Sequence, residues 1–72
     1  MSQSDILEIL KREKRPLAAS EIIKQLDINA KRVYVLINIL LKYDEIKCIE
    51  IPRDLAMKMY KSKRRMKLYY VI

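Results

Sequence analysis

Apolar residues recur at helical spacing three times before Tyr43 and then give way to β-branched runs, and this change of period sets the fold class. In Ser4–Glu13, Ile6, Ile9 and Leu10 fall at i, i+3, i+4, the stripe of an amphipathic helix. Ser2 or Ser4 can cap it. Asp5 and Glu8 suit its positive end, and Lys11, Arg12, Lys14 and Arg15 suit the other. Pro16 closes the segment, because the residue before a proline is pushed out of the helical region. Pro16-Leu17-Ala18 then reads as an extended connector able to add an edge strand. A second helix starts near Ala18 to Ser20, runs to about Leu26 and buries Ile22, Ile23 and Leu26. Asp27-Ile28-Asn29 breaks it. A third helix, with Asn29 as N-cap, runs to Lys42 or Tyr43. Its buried stripe is Val33, Leu36, Ile37 and Leu40; the opposite face carries Lys31, Arg32, Val35 and Asn38, with Tyr34 at the edge.

After the turn at Tyr43-Asp44-Glu45, Ile46–Ile51 reads as a strand ended by Pro52, and Lys67–Ile72 as a second strand. Two strands alone are marginal; packed on three helices they complete a small α+β unit. The fourteen residues between them, Arg53 to Met66, are unusual for a hairpin loop. Asp54-Leu55-Ala56-Met57-Lys58-Met59-Tyr60 is a good helix-forming sequence with Asp54 as a possible cap. Either the loop holds a helical turn, or Leu55, Met57, Met59 and Tyr60 touch a partner.

At 72 residues the chain is one domain, spanning 1–72, near the lower limit for a self-supporting core. A hydrophobic fraction of 51% supports that core, and a homodimer would add to it. The sequence has no histidine, no glycine and one cysteine. Metal sites lose their usual ligands, histidine-based acid–base chemistry is excluded, and no glycine-rich loop can cradle a phosphate. An enzyme, a cofactor and a small-molecule ligand are therefore not expected. No apolar run approaches the ~18 residues of a membrane span, and the polar N-terminus does not read as a secretory signal. Cys48 cannot form an internal disulfide and reads as a small, buried apolar strand residue. A reducing, cytoplasmic setting is expected.

The charge is unevenly placed. Residues 1–52 hold nine Lys or Arg against eight acids, whereas residues 53–72 hold seven against Asp54 alone, so nearly all of the net +7 lies in and beside the inter-strand segment. Such a run of like charges repels itself and gains from a polyanion. Tyr60 and Ser62 add uncharged donors suited to phosphate oxygens.

The stretch Pro16–Asn29, followed by Arg32-Val33, Leu36, Leu40 and Leu41–Ile46, resembles a winged helix-turn-helix domain, similar to small prokaryotic and archaeal transcription regulators of the MarR-like type. Aspartates stand at 27 and 44, where glycine is usual, and Ala18 stands where a capping Ser or Thr is common, so Ser20 is the alternative cap. The resemblance implies three helices followed by a two- to three-stranded antiparallel β-hairpin wing. It also implies double-stranded DNA binding by a homodimer, with the third helix in the major groove and the wing on the backbone or minor groove. By position, the helix contacts would be Asn29, Lys31, Arg32, Tyr34, Val35 and Asn38, and the wing contacts Lys61, Lys63, Arg64 and Arg65. Two other functions stay open: nonspecific, architectural binding through the wing alone, and a winged-helix module for protein–protein contact.

Overall fold

The computed structural model describes residues 3–71, with side chains from residue 4 onward. The elements run α1 (Gln3–Glu13), β1 (Leu17–Ala18), α2 (Ala19–Leu26), α3 (Ala30–Lys42), β2 (Lys47–Ile51), α4 (Arg53–Tyr60) and β3 (Met66–Tyr70).

Helix starts and stops follow from single residues. Ser4 lies inside the first turn of α1, while Ser2, the other expected cap, lies outside the described residues. Ala18 occupies the cap position of α2 and has no side-chain acceptor. Glu21 turns back instead and accepts the Ala18 N–H at 3.1 Å, which is half of a capping box. Ser20, expected as an alternative cap, is already inside the helix. At α3 the expected cap is present: the Asn29 Oδ1 accepts from the Lys31 N–H at 2.8 Å. With no glycine to use, the chain makes its left-handed turns with Lys14 (φ 56), Asp27 (φ 51), Asp44 (φ 57) and Lys61 (φ 58). At the two aspartates, a short polar side chain tolerates this region better than most.

The sheet is antiparallel, in the order β1-β3-β2. Leu17 pairs with Tyr69 and Ala18 with Leu68; on the other side Cys48, Ile49 and Glu50 pair with Tyr69, Leu68 and Lys67. Because side chains alternate along a strand, the sheet has two differently covered faces. Leu17 and Tyr69 join the main core with Ile6, Leu10, Ile22, Val33, Ile37, Leu40 and Ile46, supplied chiefly by α1, α2 and α3. Ala18, Leu68 and Ile51 form a second core with Ala56 of α4, flanked by Tyr60 and Met66.

The segment between β2 and β3 is thus not a plain hairpin loop, and the three expected helices become four. Pro52, preset near φ −66, precedes a run of good helix formers. Ala56 and Tyr60, four apart, put a small and an amphipathic side chain on the sheet face that α1–α3 leave open. Cys48 also departs from expectation. It lies in β2 but is exposed, as are its neighbours Ile49 and Glu50. The result is a small α+β domain of four helices and a three-stranded antiparallel sheet, consistent with a winged-helix-like fold.

Candidate nucleic-acid interface

The stripe that buries Val33, Leu36, Ile37 and Leu40 fixes what α3 turns outward. Asn29, Lys31, Arg32, Tyr34, Val35 and Asn38 are all exposed, with Tyr34 at 48% and Val35 at 46%. Asn29, Lys31, Arg32 and Val35 line one shallow depression at the start of the helix. The Asn29 carbonyl is committed to the cap, so its amide group is the part left for a ligand. Lys31 and Arg32 have no ion pair among the described residues.

Beside this face runs an open groove of about 400 Å³ between the helices and the sheet. Ser20 of α2 and Tyr34 of α3 line it together with Glu50 of β2 and Arg65, Met66, Lys67 and Tyr69 of the β3 segment. Of the residues expected to contact DNA, the groove brings together Tyr34 from the helix set and Arg65 from the wing set. The Arg65 Nη1 lies 3.6 Å from the Glu50 carboxylate, and Lys67 stands directly opposite Glu50 across the strands. Burial pushes the Tyr69 hydroxyl pKa up, with smaller contributions from Cys48 and Tyr34. This phenol therefore stays protonated and able to donate. The start of α2 lines the groove, and its cap residue Ala18 supplies no side-chain acceptor to the first turn.

The basic segment is ordered locally. Lys61 is the left-handed residue that ends α4, and its N–H returns to the helix carbonyls of Ala56 and Met57. The Ser62 hydroxyl then donates to the Arg64 carbonyl at 3.1 Å and accepts the Arg64 N–H at 3.3 Å. Lys61, Lys63 and Arg64 are exposed. Lys63 borders Arg53, Asp54 and Met57 at the start of α4, and Arg65 borders Pro52, Arg53 and Asp54 as well as the groove.

A second cluster ties α4 to the helical core. The Arg15 guanidinium meets the Glu21 carboxylate at 2.9 Å, and the Tyr60 hydroxyl acts on the same carboxylate. Partial burial would raise the Glu21 pKa. The Ala18 N–H, Arg15 and Tyr60 outweigh it, and the carboxyl titrates below its ordinary value. The Glu21 hydrogen bond and charge hold the Arg15 guanidinium pKa up, and burial followed by Glu21 raises that of Tyr60.

Sequence reasoning missed Glu50, Lys67 and Ser20 as parts of the groove. Alternation within each strand could have put Glu50 and Lys67 on a definite face, but only the β2–β3 register sets them opposite each other. Among the described residues no cluster of His, Cys, Asp or Glu could hold a metal ion, and no helix is long and apolar enough to cross a membrane. Compared with family models, curated proteins and solved structures, the chain matches none.

Proposed function

We propose that this chain is a small, non-enzymatic transcription regulator of the MarR-like type that binds double-stranded DNA. The N-terminal half of α3 enters the major groove, and the β2–β3 segment lies on the backbone or minor groove. The observation that carries this reading is the exposed face of α3, which bears Lys31, Arg32, Val35 and Asn38 and whose Tyr34 lines a groove together with Arg65 and Lys67. The chemistry fits a duplex. Asn38 can bond adenine bidentately, Lys31 or Arg32 can reach guanine or phosphate, and Val35 can meet a thymine methyl. Lys61, Lys63 and Arg64 supply sequence-independent phosphate contacts. A homodimer would read two related half-sites.

The test is titration of the folded protein with duplex DNA at several salt concentrations, then competition with its own upstream DNA. A log–log slope of roughly −4 to −6, for about five to seven phosphate contacts, supports DNA binding, and preference for the upstream fragment supports regulation. Binding that survives loss of Lys31 and Asn38 but not of Lys63, Arg64 and Arg65 points to the architectural role instead. A protein-interaction module is favoured by Leu55, Met57 and Met59, which α4 leaves 40–55% exposed. A folded sample that binds no duplex at low salt selects that reading.

A further inference from the structure

We propose that Glu50 is a specificity-determining residue of this interface: one acid set among cations, which weakens contact with arbitrary duplex more than contact with the cognate sequence. The inference rests on the DNA-binding reading above and adds to it how that surface discriminates.

Each exposed cation on the surface gains from phosphate whatever the sequence. Glu50 does the opposite. It lines the groove with Ser20 and Tyr34, its carboxylate lies 3.6 Å from Arg65, and Lys67 faces it across the strands. Its side chain is 51% exposed and that of Arg65 is 75% exposed, so neither satisfies a buried partner. An exposed pair of this kind adds little to stability. Its consequence lies in binding. A phosphate entering the groove meets a like charge, and Arg65 must leave Glu50 to reach it.

An ionised carboxylate only accepts hydrogen bonds. The group on a duplex that suits it is an exocyclic amine, which in the minor groove is guanine N2. The phosphate repulsion is common to all duplexes; a base edge that presents an amine at this point offsets it, whereas one that presents only acceptors does not. Discrimination by penalising the wrong partner is a general device, and Glu50 is placed to provide it.

The test compares wild type, Glu50→Gln and Glu50→Ala on two probes: random-sequence duplex, and the duplex that wild type selects from a random library. Matching circular dichroism spectra establish that all three are folded. Both variants should bind random duplex roughly three- to tenfold tighter, with the salt slope steeper by about one. Affinity for the selected duplex should change by less than about twofold, so the ratio between the probes falls. An unchanged or increased ratio in folded variants overturns the inference and leaves DNA binding intact. Failure of wild type to bind any duplex overturns both.

Discussion

The Arg15 guanidinium and the Glu21 carboxylate meet at 2.9 Å, joining the α1–β1 connector to the first turn of α2. The same carboxylate holds the Ala18 N–H and interacts with Tyr60 of α4, so one acid links three segments of the chain. Because its folded pKa lies below the ordinary 4.5, its stabilisation is fully present above that value and is lost as pH falls through the folded value. Glu21→Gln keeps an acceptor for Ala18 but removes the charge. Urea unfolding should show only a small loss at neutral pH, because so exposed a pair is screened by solvent. The variant should also lose less than wild type on acidification below 4.5. Equal acid sensitivity in the two proteins would show that Glu21 is not the group that titrates.

Asn29 lies at the cap of α3 and also on its exposed face, and two substitutions separate these roles. Asn29→Ala removes the acceptor for the Lys31 N–H and should cost about 1 kcal/mol of stability. Asn29→Asp keeps the cap and places a negative charge at the positive end of the helix, so stability should be retained or slightly raised. In the proposed interface that charge would face phosphate. Asn29→Asp should therefore weaken duplex binding without loss of thermal stability; unchanged affinity would remove Asn29 from the contact surface.

Lys14 and Lys61 hold left-handed backbone conformations that disfavour a side chain. Lys14→Gly and Lys61→Gly should each raise stability by about 0.5–1 kcal/mol, the gain in strain exceeding the added freedom of the unfolded chain. Thermal melts check the sign. Lys61→Gly should also weaken duplex binding if this cation neutralises a phosphate, giving a protein that melts higher and binds less.

Ala56 is fully buried where α4 meets the second face of the sheet. Ala56→Leu inserts three carbons into that contact and should destabilise by about 1–3 kcal/mol. Hydrogen exchange should localise the loss to α4, with protection in α1 and α3 preserved. Uniform loss across all helices would mean that the two cores unfold as a single unit.

The three long stripes were legible because each sets two or more large apolar residues at helical spacing, as with Val33, Leu36, Ile37 and Leu40. The same stripe made the outward face of α3 readable. Helix α4 was only half legible. Its large apolar residues Leu55, Met57 and Met59 point outward, and its fully buried residue is an alanine, which carries no strong hydropathy signal. The burial expected of Cys48 follows from the habits of free cysteines, but exposure depends on what packs over that position of the sheet, and that is a tertiary property. Glu50 and Lys67 became neighbours through a register across a long inserted segment, which no local pattern encodes.

The sheet order has a consequence for how the protein is made. β3 lies between β1 and β2 and is the pairing partner of both, yet it follows both in the chain. A ribosome delivering this polypeptide can release α1 through α4 without a single strand pair having formed. Until residues 66–70 emerge, Leu17 and Ile51 have no strand to lie against. Both strand pairings of the sheet therefore wait on the same late segment, residues 66–70.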